Sequence, residues 1–190
     1  PNLSVRENLL MAATPSKGQK TRLIWALTCV GRVLRRLGEQ TEAGEHYARA
    51  LAIAAQAGGM AEALAAIELA DLRRAQGRGE EARALRVRAE GIVQAEVDRP
   101  ELAITLIDLG AAALADGEPA RAIAGLARAQ RLAARREDWR ARADFALARA
   151  WWATGEQPRA VALARAAEAT ADAETRAAIT AWLAGPAAGL

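Results

Sequence analysis

The side chains with the most chemistry to offer are few and scattered. His46 is the sole histidine and Cys29 the sole cysteine of a 190-residue chain; the only serines are Ser4 and Ser16, and asparagine occurs only at Asn2 and Asn8. A nucleophilic triad needs a thiol or hydroxyl, a base, and an acid that orients the base. Cys29 and His46 fall on the two helices of one hairpin, where they read as a small thiol in the helix packing and an imidazole on a polar face. One imidazole with Glu42 or Glu45 supplies too few convergent ligands for a metal ion, and no CxxC pair exists for zinc. The paired carboxylates Glu80 and Glu81, and Glu137 and Asp138, stand at helix starts, where negative charge complements the helix dipole. A GxxxxGK[ST] phosphate loop is absent. This inventory points to a non-enzymatic chain without metal or cofactor.

What remains is recognition chemistry, carried by arginine and tryptophan. The formal charge is +3, and nearly all of the basic residues are Arg. Their distribution matters more than their sum. No acidic residue lies between Glu7 and Glu39, whereas Lys17, Lys20, Arg22, Arg32, Arg35 and Arg36 all do, so the N-terminal end carries a local positive field. From Glu101 onward the two signs cancel. Trp151 and Trp152 are adjacent and must point to different faces, one into the core and one partly outward. A Trp beside Arg149 is a natural interface anchor. Trp139, at a helix start, reads as a staple.

The elements that hold these side chains are helices. Aromatics are only 4% of the chain, hydrophobic residues are 52%, and about a quarter of the sequence is Ala, a bias that lets helices approach closely. In the stretch from Leu23 to Ala57, Leu23, Ala26, Leu27, Val30, Val33, Leu34 and Leu37 fall at helical spacing. Gly38 breaks the run, and Ala43, Tyr47, Ala50, Leu51 and Ala54 resume the period. The turn glycine recurs as Gly77, Gly117 and Gly155, each followed within three residues by Glu, which sets a period of 38 to 40 residues. The second copy offers Leu64, Ile67, Leu69 and Leu72, but has Arg86 where the first has Tyr47, so its core should be thin or re-registered. The third carries Leu106, Leu109, Gly110, Ala122, Leu126 and Ala129. The fourth carries Phe145, Leu147, Ala148, Trp151, Ala160 and Ala167, with Pro158 in the first turn of its second helix. Asp98 and Glu101 around Pro100 should start the third copy, and Asp138 the fourth. Asp172 should cap a closing helix that turns Ile179, Trp182 and Leu183 onto the fourth copy.

Gly31, Gly38, Ala43, Tyr47 and Ala50 stand where the tetratricopeptide repeat (TPR) family places its glycine, second glycine, alanine, aromatic and alanine, and this unit resembles a TPR. The resemblance implies an all-α fold, a right-handed alpha-alpha superhelix or TPR-like solenoid of about four helix-turn-helix repeats with a C-terminal capping helix. The expected boundaries are an arm over 1–20, repeats at about 21–58, 60–97, 100–135 and 138–170, a capping helix over 172–184 and a tail over 186–190. The period exceeds the roughly 34 residues of the standard repeat, so each copy carries extra residues. Ser4 and Glu7 form a capping box for a short helix over about Val5–Ala13 in the arm. The arm wording PNLSVRENLLMAA also resembles a segment of ABC-transporter ATPases, without the nucleotide-binding motifs that would make it one.

The resemblance further implies an interaction scaffold whose first helices line a peptide-binding groove. The family's groove positions hold Trp25, Thr28, Arg32, Arg35 and Arg36 in the first repeat, and Leu64, Ile67, Asp71 and Arg74 in the second. They hold Ile104, Ile107, Ala111 and Leu114 in the third, and Arg142, Phe145, Arg149 and Trp152 in the fourth. The candidate partner-binding set is Trp25, Arg32, Arg35, Arg36, Ile67, Asp71, Arg74, Arg149 and Trp152. The family's carboxylate clamp of Lys and Asn is not reproduced, because these helices contain no Asn. Arg32, Arg35 and Arg36 could instead grip an acidic segment bidentately, or be a solvated face balanced by Glu39, Glu42 and Glu45.

The expected partner is therefore a protein or peptide, an acidic one fitting best. Nucleic acid is disfavoured by the near-neutral second half, the lack of a recognition motif and the scarcity of aromatics for stacking. No run of about 18 apolar residues suits a membrane, no signal segment precedes the helices, and a single cysteine suits a reducing compartment, which reads as soluble and cytoplasmic. The start at Pro1 and an AITAWLA ending that resembles the ends of helical-repeat arrays in large bacterial signalling proteins suggest a C-terminal regulatory or assembly module of a larger bacterial protein. The alternatives are a peptide-sensing repeat domain that changes superhelical pitch on binding, and a basic helical domain associated with nucleic acid.

Overall fold

The computed structural model describes residues 16–185, and the helix expected over Val5–Ala13 lies outside them. Among the described residues there are nine helices: α1 (Lys17–Leu37), α2 (Gln40–Ala57), α3 (Met60–Ala75), α4 (Gly79–Ala95), α5 (Leu102–Ala115), α6 (Pro119–Leu132), α7 (Glu137–Ala153), α8 (Gln157–Glu168) and α9 (Ala173–Ala184). The chain divides into two compact units, one ending at Glu96 and the other beginning at Val97. In the first, α1 packs on α2, α2 on α3, α3 on α4, and α1 also meets α3. In the second, the pairs α5–α6 and α7–α8 are joined through α6–α7 and α5–α7, and α9 lies against α8 and α7.

The four turn glycines end the first helix of each pair in the same way. Gly38, Gly77, Gly117 and Gly155 have φ between 75° and 92°, the left-handed region in which a Cβ is costly. Each turn is closed by the amide that follows the glycine, donating five residues back: Glu39 to Leu34 O (2.9 Å), Arg78 to Arg73 O (2.8 Å), Glu118 to Ala113 O (2.9 Å) and Glu156 to Trp151 O (2.8 Å). Helix starts vary more. Ser16 caps α1 in a full capping box with Gln19, so the first helix reaches back into the stretch assigned to the arm. Asp172 caps α9 by accepting from the Thr175 amide at 2.8 Å. Glu101 makes no side-chain cap for α5, and Asp98 instead holds Arg128 of α6 at 2.7 Å.

Counting from the turn glycines, the residue seven before and the residue nine after hold matching positions on the two helices of each hairpin. The pairs are Gly31 with Tyr47, Ala70 with Arg86, Gly110 with Leu126, and Ala148 with Ala164, all buried. The small partner is a steric requirement where the large one is Tyr or Leu. A Cβ built on Gly31 would stand 2.6 Å from the Tyr47 ring, and one on Gly110 would stand 2.5 Å from Leu126. The thin core expected in the second pair does not occur. Arg86 itself occupies that position, 2% exposed, with its guanidinium 3.5 Å from Asp71 of α3, so a buried, ion-paired arginine stands where the first pair has an aromatic ring.

The first unit's core gathers Ile24, Leu27, Tyr47, Ala50, Ala54, Leu69 and Leu72. The second unit's core runs from Leu126 and Leu147 to the alanines of α7 and α8, and is closed by Ile179 with Trp182 and Leu183 packed beside it. Of the residues expected to form one apolar face on α1, only Leu27 is buried and Leu34 half-buried; Leu23, Val30, Val33 and Leu37 are exposed. The reason is geometric. Those seven residues span far more than the arc that a single neighbouring helix can cover, and Gly31, Ile24 and Thr28 take the inward positions.

Candidate functional site

Seven of the nine candidate recognition residues lie in the first unit and two in the second. In the first, Trp25 is 61% exposed on α1, and the Arg32 guanidinium lies 5.5 Å from the centre of its ring. Arg32 is not balanced by Glu39, Glu42 or Glu45 on its own hairpin: its Nε is 3.2 Å from Glu68 of α3, so it ties the first helix of one repeat to that of the next. The same Glu68 carboxylate adds to the effect of burial on Tyr47, whose phenol is pushed up to about 12, and the ring stays neutral at every physiological pH. Arg35 and Arg36, exposed in the last turn of α1, complement the negative end of its dipole, as Arg74 does for α3. Ile67 is buried in the hairpin and does not face solvent. Asp71 is turned to Arg86. Of the candidates in this unit, Trp25, Arg35, Arg36 and Arg74 are exposed.

The second unit contains a concavity. A cleft of about 320 Å³ is lined by Ile107 and Ala111 of α5, Arg142, Phe145, Ala146 and Arg149 of α7, and Asp172, Glu174, Thr175 and Ala178 at the start of α9. The spacing on α7 explains why three of these converge: 142, 145 and 149 are three and four residues apart, one face of a helix. Arg149 lies over Phe145, with its guanidinium 6.0 Å from the ring centre, and makes no ion pair among the described residues. Arg142 faces Asp108 at 3.9 Å, and its charge helps to hold the Asp172 carboxyl below its ordinary value, after the hydrogen bonds from Thr175. The cleft thus has an apolar floor, two guanidinium groups on one wall, and on the other a carboxylate already committed to capping a helix.

Trp152, expected as an outward anchor, is half-buried. Its ring meets Trp182 of α9 edge to face at 5.3 Å, and Trp182 meets Phe145 at 6.0 Å. This aromatic cluster positions α9 beside α7, so Trp152 supports the cleft without lining it. Trp151 is half-buried too, beneath Arg159 at 3.5 Å, and Trp139 is covered by Arg136 at 4.0 Å. The wall supplied by α9 is not legible in the repeat pattern, because a closing helix has no position in that pattern; the only available signal is the acidic Asp172–Glu174 start.

The side chains with the most chemistry to offer stay apart among the described residues. Cys29 and His46 are both half-buried and share no hydrogen bond among the described residues. No group of three or more His, Cys, Asp or Glu side chains among them could hold a metal ion. No helix among them is long and apolar enough to cross a membrane.

No protein-family model and no curated protein matches the sequence. Solved structures do. A variant form of a kinesin light chain-like protein of Podosopora anserina, built of nearly identical TPR-like repeats, superposes with a TM-score of 0.68 at 24% identity, covering 79% of this chain and 74% of that one. A second structure of that protein gives 0.66 at 24% identity over 79% and 75%. BtubC (BKLC) from P. vanneervenii gives 0.67 at 20% identity over 92% and 71%. At such identities the likeness is one of fold, and the fold is that of a TPR-like helical repeat domain.

Proposed function

We propose that the chain is a non-catalytic interaction scaffold whose cleft between α5, α7 and α9 takes up a peptide segment of a protein partner. The observation that carries this reading is the pairing of an apolar floor with Arg149, which has no ion pair among the described residues. An apolar side chain of the partner rests on Ile107, Ala111 and Phe145, and an acidic side chain a few residues away accepts hydrogen bonds from Arg149 and Arg142. The first unit adds Trp25, Arg35, Arg36 and Arg74 as further exposed recognition groups.

Panning a random peptide library on the chain, with counter-selection on an Arg142→Glu/Arg149→Glu variant, tests the reading. Peptides combining an apolar and an acidic residue at a short fixed spacing should be enriched and should lose at least tenfold in affinity for the variant. Peptides that bind both proteins equally would overturn it.

A sensing version of this function, in which ligand binding changes the superhelical pitch, draws support from α9, which both lines the cleft and closes the core. Small-angle scattering with and without a selected peptide at saturation should show a change in dimensions; an unchanged profile argues for a passive scaffold.

A further inference from the structure

The first helix carries an apolar stripe that nothing in the described fold covers. Leu23, Ala26, Val30, Val33 and Leu37 recur at intervals of three and four residues along the outward side of α1, the spacing of a helix-pairing seam. Leu23 is 43% exposed, Val30 44%, Val33 55% and Leu37 71%. With Trp25, α1 alone presents five of the eight large exposed apolar side chains of the described residues. The stripe is not a miscounted core face. Ile24, Leu27, Thr28 and Gly31 form a separate inward stripe that packs the hairpin, so α1 is apolar on two sides. A surface helix needs only one such stripe, and a second, continuous over four turns, is the mark of another contact.

Charge selects what that contact is. Arg22 and Arg36 each precede a stripe leucine by one residue and border the stripe on the same side, two heptads apart, and α1 contains no acidic residue at all. A second copy packed antiparallel on the stripe would set Arg22 of one chain near Arg36 of the other, and the like charges would oppose pairing. We infer that the outward face of α1 is a docking surface for an amphipathic helix of a partner protein, with a three–four apolar stripe bordered by Glu or Asp. Its carboxylates meet Arg22 and Arg36 while its apolar residues cover Leu23, Val30, Val33 and Leu37. This surface is separate from the cleft between α5, α7 and α9, and either can be wrong without the other.

The test uses the full chain and two synthetic 21-residue helical peptides, both with Leu at the three–four positions, one with Glu and the other with Lys at the bordering positions. Binding is followed by fluorescence anisotropy. The Glu peptide should bind at least tenfold more tightly than the Lys peptide, and an Arg22→Glu/Arg36→Glu chain should reverse that preference. Val33→Asp should abolish binding of both with the circular dichroism spectrum unchanged, and Arg142→Glu/Arg149→Glu should leave binding as it was. Equal affinity for the two peptides, no binding of either, or loss of binding with the cleft variant would each overturn the proposal. A dimer in sedimentation equilibrium that Val33→Asp dissociates would replace the partner with a second copy. Binding seen only after residues 1–15 are removed would replace it with that segment of the chain itself.

Discussion

The first and the last of the described helices are finished in opposite ways. At the last repeat, α9 lays Ile179 into the alanine-rich face of α7 and α8, with Trp182 and Leu183 beside it, so that face is closed. At the first repeat, α1 turns Leu23, Val30, Val33 and Leu37 outward with no described element over them. A repeat buries its apolar surface on its neighbours, and a terminal repeat therefore needs a cap. One end brings its own, in a helix with no place in the repeat pattern. The other keeps the apolar spacing of a packed helix and adds a basic border, which is why it reads as a surface awaiting a partner.

That difference can be broken or sharpened by substitution. Ile179→Ala removes a fully buried side chain from the closed end and should cost about 2–5 kcal/mol, measured as a lower urea midpoint by circular dichroism and by tryptophan fluorescence, since Trp152 and Trp182 report on that end. If the midpoint stays put, α9 is not the cap of the second unit. Next comes the packing of a hairpin interior. Gly110→Ala sets a Cβ 2.5 Å from Leu126; overpacking of about 1–3 kcal/mol is set against roughly 1 kcal/mol of gained helix propensity, for a net loss of up to about 2 kcal/mol. In a Leu126→Ala background the same change should be neutral or stabilising, and additive effects would refute the pairing.

A smaller effect comes from the buried carboxylate of α7. Asp144 is raised above its ordinary 3.8 by burial, against the lowering effects of the 2.6 Å hydrogen bond from Gln130 and of Arg140 at 3.8 Å. Its folded state holds the proton more tightly than the unfolded chain does, so its contribution is most favourable below pH 3.8 and declines as pH rises through the raised value. Asp172 has the opposite sign: its lowered pKa gives stability that is present above 3.8 and lost as pH falls below it. Asp144→Asn should therefore gain stability relative to the parent chain as pH climbs from about 3 and then level off. Asp172→Asn should narrow its deficit as pH falls. Parallel midpoint curves for either variant would remove that carboxyl from the account. The smallest change is expected at the open end, where Val33→Ala should stay within about 0.5 kcal/mol of the parent. A loss as large as that of Ile179→Ala would mean that the α1 stripe is already covered in the isolated chain.

Much of this fold is legible in the residues. The four glycines at 38- to 40-residue spacing, the small residue seven positions before each and the apolar residues around them suffice to divide the chain into helix pairs, because a left-handed turn and a close helix crossing each demand a particular residue type. Legibility falls where one residue type can serve two ends. Arg86 resembles a defect because an arginine in a core slot conflicts with its charge, and only the placement of Asp71 opposite it makes the slot fillable. Arg32 has glutamates nearby on its own hairpin, yet its carboxylate is Glu68, 36 residues away in the chain. The candidate recognition residues follow the same rule: Arg142, Phe145 and Arg149 share a face by helical spacing alone, whereas the fate of Ile67 and Trp152 depends on what packs against them.

The sequence by itself determined the helices, their turns and the period of the array, since these follow from local backbone preference and from apolar spacing within about ten residues. Which of the two apolar stripes on α1 turns inward, which arginines are paired, and that α9 walls a cleft as well as capping a core were decided only by the tertiary structure. Burial and ion pairing depend on neighbours distant along the chain, and no local pattern records which neighbour arrives.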